Sequence, residues 1–274
     1  MHSQLSLLQA ALCASPLVLV RVDHTQGSVP REAGAWMAVL PDRVINTIGG
    51  GHLEFQAIEE ARALLRSPSH ESLVLRYPLG PSLGQCCGGV VHLRFEHCAQ
   101  QSDEQAVKLV QSLRLNDLPV ALFGGGHVGR ALIQALTPLP FEVTWIDSRD
   151  EIFPSTLAAH IRVEHSDPVQ LAVDDLVPGS HVLIMSFSHA EDLEVVAACL
   201  RRKRLHADLP FVGLIGSATK WATFRHRLEA RGFAAEELDA ITCPIGLTGI
   251  EGKEPEVIAA SVAAQLLLLR PVAV

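Results

Sequence analysis

The sequence predicts an α/β protein: a small N-terminal α+β domain followed by a doubly wound parallel-sheet domain. Three observations carry this. From residue 118 onward, short β-branched or leucine-rich runs (120–123, 143–146, 161–163, 182–185, 211–214) alternate with helical stretches (129–136, 169–176, 193–204, 220–230). That alternation implies parallel strands with helices on both faces of the sheet. Before residue 100 the strand-like runs are instead joined mainly by turn chemistry. The length of 274 residues accommodates two domains of about 100–170 residues each. The expected division is 1–100, a linking helix over 101–117, and 118–274.

In chain order, Leu5, Leu8, Ala11 and Leu12 recur at helical spacing and Pro16 ends that helix. Residues 17–22 read as a buried strand, and 25–30 as a turn around Gly27 and Pro30. A hairpin spans 35–40 and 44–48 around Pro41-Asp42. Gly49-Gly50-Gly51 then leads into a helix over 52–65, with Glu59 and Glu60 on its solvent side. Strands over 73–76 and 90–95 flank a Pro/Gly-rich loop that holds Cys86 and Cys87. The helix near 103–115 is polar at its start and carries Val107, Val110 and Leu113 at helical spacing. A last apolar helix spans 257–269 and suggests a homodimer.

Composition excludes several classes. The chain is 48% hydrophobic and 19% charged, so it is globular rather than disordered. A net charge of −8 and 5% aromatic content argue against a nucleic-acid binder, which needs a basic face or a stacking platform. The apolar stretch 5–20 lacks a preceding Lys or Arg and is interrupted by Gln9, and the Leu-rich run 266–269 is too short to span a bilayer. A cytoplasmic, non-membrane protein with reduced thiols is the expectation.

Three motifs carry chemistry. Gly124, Gly126 and Gly129 fit GxGxxG after a strand and at a helix start, a Rossmann-like signature; Asp147 ends the following strand. There the first glycine permits the turn, the second lets a phosphate approach, and the third allows close packing, while an acidic side chain meets a ribose hydroxyl. His127 sits inside this loop. A tight strand-to-helix turn that binds nothing is the alternative. Gly49-Gly50-Gly51-His52 is a second glycine run at a helix entry, read either as a close approach to backbone or as a plain capping loop. Cys86-Cys87-Gly88-Gly89 places two thiols beside two glycines, suited to sulfur transfer or to a soft metal centre. Cys13, Cys98, Cys199 and Cys243 read as small buried hydrophobes. No catalytic pair is visible.

Together these motifs resemble the XdhC family of xanthine dehydrogenase accessory proteins. GSVPR at 27–31, the glycine run with Glu54, and LGQCCGG at 83–89 resemble its N-terminal half. GGGHVG at 124–129, Asp147-Ser148-Arg149, LIGSATK at 214–220, PIGL at 244–247 and PEVIAASVAAQ at 255–265 resemble its Rossmann-type C-terminal half. The motifs fall in the family's order over about residues 15–269.

The resemblance implies a chaperone that binds the molybdenum cofactor (molybdopterin), supports its sulfuration by an L-cysteine desulfurase, and inserts it into apo-xanthine dehydrogenase. Proteins of cofactor biosynthesis would be further partners. It implies Gly49, Gly50, Gly51, Cys86, Cys87, Gly88, Gly124, Gly126, His127, Gly129 and Asp147 as the cofactor site, with Cys87 as ligand to molybdenum or relay for sulfur. NAD(P) or another nucleotide at the Rossmann-like loop stays open, and with it the competing readings of an NAD(P)-dependent oxidoreductase or a dinucleotide-sensing module. Two stretches depart from the family pattern. Residues 186–189 read Ser-Phe-Ser-His where the family often has Thr-His-x-His, and Gln265 stands where Glu is usual.

Overall fold

The computed structural model describes residues 2–67, 72–80, 88–113, 117–158 and 160–270. These form two compact units, Ser3–Leu115 and Asn116–Val274. Among the described residues no helix is long and apolar enough to cross a membrane.

The first unit is a five-stranded antiparallel sheet with helices on both faces. Its elements are α1 (His2–Ala14), β1 (Leu17–Gln26), β2 (Trp36–Val39), β3 (Val44–Asn46), α2 (Gly51–Arg66), β4 (Leu73–Pro78), β5 (Val90–Cys98) and α3 (Asp103–Ser112). The strand order is β3-β2-β1-β5-β4. The unbroken apolar run 17–20 reflects burial of central β1 on both sides. Leu17 and Leu19 pack with Leu5, Leu8 and Leu12 of α1 and Ala106 and Val110 of α3. Val18, Val20 and Val22 pack with Leu53, Ala57 and Ala61 of α2. The apolar stretch 5–20 is thus a packed helix followed by the start of the central strand. The helix expected to link the domains lies in this unit. Ser102 and Gln105 start α3 with a reciprocal capping box, and Gln9 donates to Asp103 at 3.1 Å.

The second unit is a six-stranded parallel sheet in the order β11-β10-β9-β6-β7-β8. Its elements are β6 (Leu118–Phe123), α4 (His127–Leu136), β7 (Phe141–Asp147), β8 (Ile161–His165), β9 (His181–Ile184), α5 (His189–His206), β10 (Phe211–Leu214), α6 (Ala218–Glu229), α7 (Ala235–Leu238), β11 (Ile241–Thr242) and α8 (Pro255–Leu268). Chain direction across the sheet reverses at β6, between β7 and β9; this is the topological switch point of a doubly wound fold. Alternate residues of β6 serve opposite faces. Ala121 and Phe123 pack with α5 and α6, and Val120 and Leu122 with α4 and α8.

Two elements differ from the sequence expectation. The helix expected over 169–176 is a 3-10 helix, Val169–Val173. Val169, Ala172 and Val173 still face the core, but Asp174 and Asp175 follow directly, and acidic groups oppose a helix C-terminus. Strand β11 has two residues, too few to show a period.

Arg202 of α5 stitches this region together. Nη1 donates to the carbonyls of Val173 (2.6 Å) and Asp174 (3.1 Å). Nη2 donates to Leu176 O (2.7 Å) and Asp208 Oδ2 (2.6 Å), and Nε to Asp208 Oδ1 (3.1 Å). Every guanidinium proton is used. We expect Arg202→Ala to destabilise the second unit by about 3 kcal/mol, because it orphans buried carbonyls and a carboxylate. The check is a lowered urea midpoint for that unit alone; an unchanged midpoint refutes it.

Candidate functional site

In the first unit three segments far apart in sequence meet at one end of the sheet. The turn after β1 carries Gly27, Ser28, Val29, Pro30 and Arg31. Gly89 N donates to Ser28 O at 3.1 Å, and Leu79 N donates to Gly89 O at 2.7 Å. A Cβ at Gly89 would lie 2.4 Å from Ser28 O and 2.5 Å from Gln26 O, so only glycine fits that close crossing. On the other side of the turn, a Cβ at Gly49 would fall 2.6 Å from Pro30 Cβ. The turn is therefore a shared wall between the glycine run and the strand that leaves the thiol loop. Gly88 is exposed beside it. Cys86 and Cys87 lie outside the described residues.

The glycine run binds an anion of its own chain. Gly49, Gly50 and Gly51 all have positive φ, at 122°, 74° and 65°. Glu54, in the first turn of α2, accepts from Ile48 N at 3.0 Å, Gly50 N at 3.1 Å and the Thr47 hydroxyl. Its charge also suits the helix N-terminus. His52 and Phe55 stand exposed on the same turn, their rings 6.4 Å apart. The group that approaches this backbone is Glu54. An acidic residue one turn after a glycine run at a helix entry is the signal for that role.

Among the described residues no group of three or more His, Cys, Asp or Glu is placed to hold a metal ion. Cys98 and Cys199 are buried, as expected, and burial pushes their thiols up to about 11 and about 12. Cys13 and Cys243 are only partly buried, against apolar clusters.

In the second unit the GxGxxG loop joins β6 to α4 at the switch point. Gly124 has φ 120°, and a Cβ there would lie 1.9 Å from Met185 O. A Cβ at Gly129 would lie 2.1 Å from Gly124 O, so the first and third glycines are dictated by packing. A Cβ at Gly126, the N-cap of α4, would meet nothing within 4 Å, and no side chain caps that helix. His127 is exposed at the first helical position. Trp145 Nε1 donates to Gly124 O at 2.9 Å, fixing the loop from below.

Asp147 is 1% exposed and fully engaged. Its Oδ2 accepts from Gly125 N at 2.6 Å and Arg149 Nη2 at 3.0 Å; its Oδ1 accepts from Arg149 N and Nε, both at 2.9 Å. These four donors match the acceptor positions of a carboxylate. Burial alone would raise the Asp147 pKa, but the Arg149 guanidinium and the two amides outweigh it and hold the carboxyl below its ordinary value. Arg149 therefore pairs with Asp147, two residues before it.

The neighbouring strand ends carry further ties. After β9, Ser186 N donates to Asp192 Oδ1 at 2.7 Å and Phe187 N to Glu191 Oε2 at 3.1 Å. Lys220 of α6 bonds Asp192 of α5 at 2.6 Å, a largely buried ion pair linking the two helices, and donates to Ile215 O, just after β10, at 2.8 Å. His189 is exposed at the start of α5. Gln265 Oε1 accepts from Gly246 N at 2.8 Å, so the amide fills the acceptor role there. A cavity of about 430 Å³ lies beside it, lined by Gly216, Ile245, Gly246 and Ile258 among others.

Residues 120–266, more than half of the chain, match the XdhC Rossmann domain, and residues 14–78 match the XdhC and CoxI family. The chain belongs to the XdhC family. A relative in Escherichia coli (strain K12), the uncharacterized protein YqeB, is 25% identical over 260 residues, which are 93% of this chain and 44% of that protein. This chain thus spans less than half of the relative's length. A crystal structure from Bacillus halodurans, described as a xanthine dehydrogenase, has a TM-score of 0.74 at 18% identity and covers 97% of this chain and 95% of its own. The two chains share a fold.

Two outcomes follow from the Rossmann loop. Gly124→Ala and Gly129→Ala should each destabilise the second unit by about 2 kcal/mol or more, while Gly126→Ala should stay within about 0.5 kcal/mol. Thermal melts of the three variants test this, and equal melting points refute it. The lowered Asp147 pKa has a defined sign: its stabilisation is fully present above the unfolded value of about 3.9 and is lost as pH falls through the folded value. Asp147→Asn should therefore lower the urea midpoint at pH 7 and flatten its fall towards pH 3. A parallel shift at both pH values would contradict this.

Proposed function

We propose that this XdhC protein is a molybdenum-cofactor chaperone of the cytoplasm. It takes the cofactor from the proteins that make it, shields it, and presents it to an L-cysteine desulfurase for exchange of an oxo for a sulfido ligand. It then delivers the cofactor to apo-xanthine dehydrogenase, acting as a homodimer and turning over no substrate of its own.

The observation that carries this reading is the meeting of residues 27–31, 49–51 and 88–89 in the first unit. The cargo offers a phosphate monoester, a flat polar pterin and a metal dithiolene with exchangeable ligands. Exposed glycine backbone accommodates the polar edges, and a thiolate is the soft donor a molybdenum centre accepts. Cys87 is one peptide bond from Gly88, and in this proposal its thiolate ligates the metal or relays the sulfur. Cys98 and Cys199, with raised thiol pKa values, are unreactive at neutral pH. Exposed His52 and Phe55, in the first turn of α2 that the glycine run opens, suit the planar pterin.

Expression in a cofactor-making host, followed by oxidation of the purified protein to a fluorescent pterin, should yield pterin in proportion to protein. None above background would overturn the proposal. Cys87→Ala should lower retention, or activation of apo-xanthine dehydrogenase, by about tenfold or more. Unchanged values for both would remove Cys87 from the site.

A further inference from the structure

Doubly wound folds take ligands in the crevice beyond the carboxyl ends of their strands, at the switch point. Here that crevice is above the end of β6, between β7 and β9. Two side chains reach across it. Arg149, just after β7, holds its guanidinium carbon 4.2 Å from the ring centroid of Phe187, just after β9. Phe187 is 65% exposed, so the stacked pair stands at the surface of the second unit. Both ends are anchored. Arg149 grips both oxygens of Asp147. Phe187 N donates to Glu191, whose other oxygen accepts from the Ser148 hydroxyl at 2.9 Å, tying the β7 and β9 loops directly.

We propose that Arg149 closes the adenosine half of this crevice, so that the XdhC Rossmann domain of this protein refuses NAD(H). A dinucleotide ribose needs the carboxylate after the second strand as acceptor for its hydroxyls. In this chain that carboxylate is saturated by Gly125 and Arg149, and the guanidinium stacked on Phe187 lies across the space beside it. A 2′-phosphate fares no better, because the Asp147 charge faces the same guanidinium. No side chain caps the N-terminus of α4, so that end of the loop stays open while the nucleoside subsite is shut. Arg149 is thus a specificity-determining residue.

The inference goes beyond the cargo proposed above. Dinucleotide titration and pterin capture are separate measurements, and either fails without the other. Isothermal titration of the full-length protein with NADH and with ADP-ribose should give no saturable heat up to about 1 mM, the weak end of ordinary cofactor binding. Arg149→Ala should bind both ligands about tenfold or more above that limit, the gain from a charge-assisted hydrogen bond to freed Asp147. Adding Asp147→Asn should remove the gain. Should Arg149→Ala lose its cooperative melt, Phe187→Ala serves in its place, since it frees the arginine from its second anchor and raises NADH binding by less. The inference is overturned by saturable micromolar binding of NADH to the unmodified protein. Equal refusal by folded Arg149→Ala and Phe187→Ala overturns it too, as does NADPH binding that Arg149→Ala abolishes.

Discussion

A carboxylate removed from water must be met by donors, and Asp147 shows how much structure that single requirement organises. Its oxygens draw in the Gly125 amide, which sets the path of the loop after β6. They also draw in the Arg149 guanidinium, which is then placed over Phe187. The same device recurs twice. Glu54 gathers the amides of Ile48 and Gly50, and Asp192 takes the Ser186 amide and the Lys220 ammonium. At each junction a glycine-rich or strand-end turn aims amides inward, and the chain supplies the anion. A ligand arriving at such a place competes with an existing partner instead of filling a bare cradle.

This bears on what kind of protein the XdhC fold makes here. The Rossmann unit keeps the geometry of a dinucleotide site, with a tight first glycine, a close third glycine and an open second one. Its nucleoside side is nevertheless spanned by its own side chains. The first unit brings exposed Gly88, the 27–31 turn and the glycine run together.

Much of this was legible in the sequence, for physical reasons that differ by element. The central strands could be read because they are buried on both faces, so 17–20 and 120–123 are unbroken apolar runs. The helices α2 and α4 could be read because glycine runs mark their entries. The glycine spacing of 124–129 correctly announced a strand-to-helix turn. The partners of charged groups could not be read. Nothing in the order Asp147-Ser148-Arg149 says that the arginine folds back on the aspartate two residues earlier, since that depends on the β7 backbone turning beside β6. The Lys220–Asp192 pair spans two helices, and no local period records it. The two-residue β11 and the 3-10 turn at 169–173 are too short for periodicity to speak, and each is decided by tertiary packing.

One feature below the loop has a use of its own. The Trp145 indole is buried beneath the glycines and shares its proton with the carbonyl of the first of them. Any compound that pulls Gly124 out of place must stretch that bond and alter the polarity felt by the excited ring. The native chain therefore carries an optical gauge of its own phosphate-type loop. With Trp36 and Trp221 replaced by Phe, a wavelength shift in Trp145 emission would register occupancy without a label, including by molecules too weakly held to survive purification.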